Sequence, residues 1–196
     1  MAQIRQTRDV AVIGAGVSGL AVAKQLMAEN LTVVVYERQR SPGGVWNYST
    51  DPKEMFPTPM YENLETNFPR ELMEFADHKW PSTTSLFPKS YLVQAYLHKY
   101  SDGINIHYGR EVSGLYGLGN YAICGGKRWR VIARNENERR RRERDFDAVV
   151  IATGTFDRTF EPDYSGLDEW KTRYPNSVLH SKSYRNPRRF RGKVRF

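Results

Sequence analysis

The residues of this chain whose types and spacing can do chemistry are Gly14-Ala15-Gly16-Val17-Ser18-Gly19 and, about twenty positions on, Glu37. Gly14 permits a tight turn, Gly16 lets the backbone approach a pyrophosphate that a side chain would push away, and Gly19 lets a helix pack closely on a sheet. A helix starting near Val17 would turn unpaired N–H groups and a positive dipole end toward the phosphates, with Ala15 and Ser18 in the same binding set. Glu37 can accept hydrogen bonds from adenosine ribose hydroxyls, and its charge would repel a 2′-phosphate. The site is therefore expected to hold FAD or NAD rather than NADP.

Such a turn works only where its neighbours position it. Asp9-Val10-Ala11-Val12-Ile13 reads as a strand, Leu20 to Glu29 as a helix, and Leu31 to Tyr36 as a second strand that Glu37 closes. A GxGxxG alone is weak and could serve only a turn; in a strand, turn, helix, strand, acid order it is specific. Lys89 to Tyr100 is predicted to be an amphipathic helix with Tyr91, Leu92, Ala95 and Tyr96 facing the core. Residues 104–106, 110–116 and 128–133 read as strands, and the arginine run 139–144 as a loop leading back to a strand within 146–153. The fold class expected is α/β: a Rossmann-like FAD/NAD(P)-binding domain with a central parallel sheet and a small antiparallel β insertion at about 109–134. The domain is expected over 1–185, with 186–196 as a basic tail.

Composition narrows the classes. Hydrophobic residues make up 39% and aromatics 13% of the 196, which argues for a folded chain. Cys124 is the single cysteine, which excludes a disulfide framework, a dithiol redox pair and a cysteine-based zinc site. It sits beside Gly125-Gly126 as a turn residue with no visible base. His98 and His107 lack companions at metal-ligand spacing. No signal-peptide pattern and no apolar run of the ~20 residues needed to span a bilayer is present, so no membrane insertion and a cytoplasmic location are expected. The net charge of +8 invites a nucleic-acid reading. It is concentrated in two places: five arginines against Glu143 in 139–144, and six cations without an acid in 185–195. Neither carries an aromatic ladder or a binding-helix signature, so no nucleic-acid partner is expected.

Past Glu37-Arg38 come Ser41-Pro42-Gly43-Gly44-Val45-Trp46, then Leu64-Glu65-Thr66-Asn67-Phe68-Pro69-Arg70-Glu71-Leu72-Met73. Trp46 alone fits an ordinary core aromatic; the glycine pair beside it favours a segment that wraps a flavin. With Phe75-Ala76-Asp77, Trp80-Pro81 and Ile151-Ala152-Thr153-Gly154, the chain resembles flavin-containing monooxygenases that oxygenate nitrogen and sulfur. The resemblance implies FAD bound with the help of Arg38, Val45, Trp46 and Thr66, and a C4a-hydroperoxyflavin that passes one oxygen atom to an amine or thioether of a small molecule. It implies Asn67 as the residue beside the flavin's reactive edge; a turn-former before Phe68-Pro69 is the plainer account of that asparagine. Secondary metabolism, thiol oxidation and xenobiotic clearance are all open as settings. A FAD-binding module without catalysis is the alternative reading.

The family's signature of phenylalanine, glycine, histidine and an aromatic is met at His180 and Tyr184, while Tyr174 and Asn176 stand at its first two positions. Asparagine is the non-glycine residue best able to take a left-handed backbone there. Tyr184-Arg185 departs from the tryptophan-proline ending of Baeyer–Villiger relatives, which makes that class the lesser alternative. Lys193-Val194-Arg195-Phe196 reads as the first strand of an NADPH-binding domain whose glycine loop is not in the chain. On this reading the NADPH site is mostly missing, NADPH-driven turnover by this chain alone is slow, and an unfinished sheet edge favours association.

Overall fold

The computed structural model describes residues 8–51, 55–119, 127–135, 141–155 and 157–192. The readings made for Cys124 and for the strand at 193–196 fall outside them.

A four-stranded parallel sheet forms the centre. Strands β1 (Asp9–Ile13) and β2 (Thr32–Tyr36) pair in register, Asp9 with Thr32 through Ile13 with Tyr36. A two-residue strand, β3 (Ile106–His107), adds outside β2. The antiparallel strands β4 (Arg110–Gly117), β5 (Trp129–Asn135) and β6 (Arg141–Phe146) form a separate three-stranded sheet. The chain then returns as β7 (Ala148–Ile151) on the far side of β1, giving the order β3-β2-β1-β7.

Strands covered on both faces read as continuous apolar runs rather than alternations, and β1 and β2 show why. Val12, Val33 and Val35 pack on one face with Leu20 and Ala23 of helix α1 (Val17–Ala28) and with Val93, Tyr96 and Leu97 of helix α2 (Ser90–Tyr100). Ala11, Val34 and Tyr36 pack on the other against Val131, Ala133 and Phe146 of the antiparallel sheet. Trp80 stacks on Tyr96 with ring centroids 4.0 Å apart, and Phe75 on Tyr100 at 3.9 Å. A short helix α3 (Leu167–Arg173) follows β7.

Three expectations change. The arginine run is not simply a loop: Arg141, Arg142 and Arg144 lie in β6, so the antiparallel sheet reaches Phe146 rather than ending near 134. The arginines of the neighbouring β5 are paired across strands, with the Arg130 guanidinium on Asp145 at 2.7 and 3.0 Å and Arg134 on Glu111 at 2.5 and 2.8 Å. Arg144 lies over the ring of buried Phe146. The stripe of α2 is also displaced. Ser90, Val93, Tyr96, Leu97 and Tyr100 are buried, while Tyr91 and Ala95 are exposed. Finally, the strand read at 104–106 is reduced to Ile106–His107. Asn176 does adopt a left-handed φ of 64°.

A partly buried ion cluster ties the start of β1 to the antiparallel sheet. The Asp147 carboxylate accepts from the main-chain N–H groups of Arg8 and Asp9, both at 2.9 Å, and from Lys127 Nζ at 3.0 Å. Lys127 Nζ also meets Asp9 at 2.5 Å. The start of β1 is thus clamped to the corner between β6 and β7.

Candidate cofactor site

The glycine turn is shaped by steric necessity at two of its positions, while the third could take a Cβ at ordinary contact distance. Gly14 has φ +103° and donates its N–H to Tyr36 O at 2.8 Å; a Cβ there would lie 2.5 Å from Ala152 O. A Cβ on Gly19 would lie 1.9 Å from Gly14 O, so helix α1 sits directly on the turn. At Gly16 the nearest atom to a Cβ would be Gly44 Cα at 3.7 Å, an ordinary contact. The protein does not itself require glycine at 16. What the absent side chain leaves is a cradle at the start of α1, where Gly16 is the N-cap without any side-chain cap bond, and the first N–H groups of a helix have no intrahelical acceptor. Val17 and Ser18 are exposed there, and Ala15 is fully buried.

Glu37 is 5% exposed, and its carboxylate is held by main chain on both sides. Oε2 accepts from Ala15 N at 2.6 Å and Oε1 from Gln39 N at 2.8 Å. The acid is therefore locked to the glycine turn, and each oxygen keeps a further lone pair of the kind a ribose diol would use.

The segment after the acid docks on the same turn. Gly43 N donates to Ala15 O at 2.9 Å, and Gly43 and Gly44 take φ of +119° and +57°. A Cβ on Gly44 would come within 2.9 Å of Gly16 Cα. This brings Val45, 49% exposed, beside the cradle, while Trp46 packs against the core formed by α1 and α2. Helix α2 supports the remaining residues. Thr66 N donates to Pro88 O and Ser90 N to Leu64 O, which fixes buried Thr66 at the N-terminal end of α2. About one helical turn further on, Gln94 donates to Asn47 just past Trp46. Asn67 is exposed in the turn that follows Thr66, whose hydroxyl donates to Phe68 O.

Arg38 behaves differently from the rest of the predicted set. Its guanidinium forms a two-pronged bond to Asp157 at 2.7 and 2.9 Å and lies over the Phe56 ring. The hydrogen bond from Arg38 holds the Asp157 carboxyl below the usual range against a smaller effect of burial. Lys182 also bonds Asp157. Side chains 34% and 51% exposed gain little from such a pair. Arg38→Ala should therefore cost under about 1 kcal/mol, a fall of no more than about 4 °C in Tm; a thermal melt showing a larger loss would mean that Arg38 carries more than this ion pair.

A groove of about 490 Å³ lies alongside, lined by Pro57, Asp157, Arg158, Thr159, Lys182, Ser183 and Arg185. None of the glycine-turn residues lines it. No group of three or more possible metal ligands occurs among the described residues, and none of their helices is long and apolar enough to cross a membrane. Four residues that hold the site escaped sequence reasoning: Gln39, Asn47, Gln94 and Asp157. Gln39, Asn47 and Asp157 lie in segments with no periodic signal, and Gln94 is a polar residue within α2 whose partner is remote in sequence.

Parallel sheet, glycine turn and buried acid at the tip of the neighbouring strand define a dinucleotide-binding domain of the Rossmann type. The chain belongs to the flavin-binding monooxygenase-like family, whose pattern matches residues 7–195. It is 36% identical over 199 residues to the flavin-containing monooxygenase ustF1 of Aspergillus flavus, covering 96% of this chain and 46% of that protein. It is 31% identical to the flavin-containing monooxygenase FMO GS-OX-like 4 of Arabidopsis thaliana, covering 96% and 45%. Among solved structures, S-allyl-L-cysteine S-oxygenase from Allium sativum superposes with a TM-score of 0.79 at 31% identity, covering 94% of this chain and 44% of that one. A flavin-containing monooxygenase from Stenotrophomonas maltophilia gives 0.72 at 27%, covering 96% and 49%. The chain thus spans about half the length of the relatives it matches.

Proposed function

We propose that this chain is the FAD-binding part of an NADPH-linked monooxygenase that oxygenates a soft nucleophile, a thioether or amine, in a small molecule. The observation that carries the FAD reading is the cradle at Gly16: space beside an uncapped helix start, open where a pyrophosphate would lie, with Glu37 anchored to the same turn. These residues fit the cofactor. Gly14 to Gly19 would hold the pyrophosphate, Glu37 the ribose, and Val45, Trp46, Thr66 and Asn67 the flavin end. FAD, when bound, supplies the acceptance of two electrons from NADPH and the reaction with dioxygen. The balance is one oxygen atom to sulfur or nitrogen and the other to water.

The chain's own part is to bind, orient and keep water out, with Asn67 as the residue whose amide would hydrogen-bond at the reacting edge. Preference for a thioether is supported by the S-oxygenase to which the chain is similar. The test is to incubate the purified protein with FAD, remove the excess, and supply NADPH and a methyl thioether. Retained flavin absorbance is expected, with slow sulfoxide formation from NADPH. A folded protein that takes up no FAD overturns the reading. FAD uptake with no sulfoxide, even when the flavin is reduced chemically before air is admitted, leaves a flavin-binding module instead.

A further inference from the structure

We propose that Asn47 is a positioning residue whose buried amide sets the flavin-side turn in register with the adenosine grip, so that the two halves of FAD are bound as one. This rests on the FAD reading above. Asn47 is 9% exposed and uses both amide hydrogens and its carbonyl oxygen. Nδ2 donates to Gln39 Oε1 at 2.7 Å and to Ser41 O at 3.0 Å, and Oδ1 accepts from Gln94 Nε2 at 3.0 Å. The orientation is not arbitrary. The Ser41 carbonyl can only accept, so Nδ2 must face it, Oδ1 must face α2, and Gln94 must present its NH₂ group.

Gln39 is oriented in turn by donating its amide to Phe56 O at 3.0 Å, while its main-chain N–H holds Glu37 Oε1. The main chain of Asn47 is held as well, with its N–H on Gly44 O at 3.1 Å and its carbonyl accepting from Thr58 Oγ1 at 2.5 Å. One residue therefore joins the end of β2, the 43–46 turn, the 56–58 loop and helix α2.

The adenosine grip needs none of these side-chain bonds. Gly14 is held by Tyr36 O, and Ala15 by Glu37. Residues 43–46 touch that grip through Gly43 N on Ala15 O and the approach of Gly44 to Gly16, and the Asn47 amide fixes the angle at which Val45 and Trp46 leave it. Loss of that amide should loosen the flavin end and spare the nucleotide end. A buried amide network with one member removed also leaves its other members unsatisfied.

The experiment compares FAD with ADP as ligands of wild-type, Asn47→Leu and Gln94→Met proteins by calorimetry, together with the visible spectrum of the bound flavin. For Asn47→Leu the Kd for FAD is expected to rise at least tenfold, that for ADP to change less than twofold, and the flavin bands to shift or lose structure. Gln94→Met, which keeps Asn47 and removes one bond, should show a smaller change of the same pattern, threefold or more for FAD. If Asn47→Leu does not fold, Gln94→Met decides by the same criteria. Equal weakening of FAD and ADP, or no change in either, overturns the proposal. Wild-type protein that binds ADP but not FAD, or neither, would instead sink the FAD reading, and this inference with it.

Discussion

Alanine at position 16 is expected to give a stable protein that no longer retains FAD, whereas alanine at position 19 is expected to destabilise the fold itself. Both changes add one methyl group to a glycine of the same turn. At 19 the methyl would lie 1.9 Å from Gly14 O, a backbone atom that cannot step aside without moving α1 off the sheet. Overpacking against backbone costs about 3 kcal/mol or more, a large part of the ~5–15 kcal/mol that holds a domain together. At 16 the methyl meets Gly44 Cα at 3.7 Å, and the residue already has φ −74°, which alanine adopts freely. The same methyl fills the cradle. A pyrophosphate pushed outward loses its bonds to the helix start, and a loss of about 3 kcal/mol weakens binding roughly a hundredfold. Urea melts and flavin absorbance after desalting separate the two variants. Wild-type FAD retention by Gly16→Ala would place the phosphates elsewhere, and a wild-type melt for Gly19→Ala would show that the helix is not seated as described.

Replacing Asp147 should weaken the fold by removing a single charge. Burial pushes its carboxyl up, but the N–H groups of Asp9 and Arg8 and the Lys127 ammonium together outweigh this and bring it down to about 2. Relative to the ordinary aspartate value of 3.8, that depression corresponds to about 2 kcal/mol of stability. The contribution is fully present above the unfolded value and is lost as pH falls from about 4 toward 2. Asp147→Asn can keep an amide oxygen toward the three donors, all of which meet the single Oδ2, but it loses the charge and should lower stability by about 2 kcal/mol at neutral pH. The gap between the two proteins, measured by urea unfolding, should close as pH drops through that window. A gap that stays constant from about pH 7 to pH 3 would show that the charge of Asp147 is not what clamps β1 to the β6–β7 corner.

How much of this was legible in the sequence depended on whether a segment's environment was set locally. Asp9 to Glu37 was legible because strands buried on both faces and a glycine turn leave a direct imprint on composition. Periodicity finds helix α2 but puts its stripe on Tyr91, Leu92, Ala95 and Tyr96, of which only Tyr96 is buried. The true face runs through Val93, Leu97 and Tyr100, chosen by tertiary contacts with Trp80 and Phe75. Strand β6 is hidden because Arg142 and Arg144, exposed although they share a face with buried Phe146, stand where apolar residues would otherwise alternate. Among the site residues, Gly14 to Gly19 and Glu37 could be read from spacing. Asn47 could not, since the partners that give it meaning are Gln39 eight residues before it and Gln94 on a helix forty-seven residues after.

The two glycines that face each other at the cradle are kept small for different reasons, and this asymmetry has a bearing on drift. Gly44 answers to the polypeptide, through its +57° backbone and a 2.9 Å approach to Gly16 Cα. Gly16 answers to whatever lies in front of it. A library randomised at both codons and sorted only for solubility should keep glycine at 44 and admit alanine at 16. The same library sorted for yellow colonies should return glycine at both.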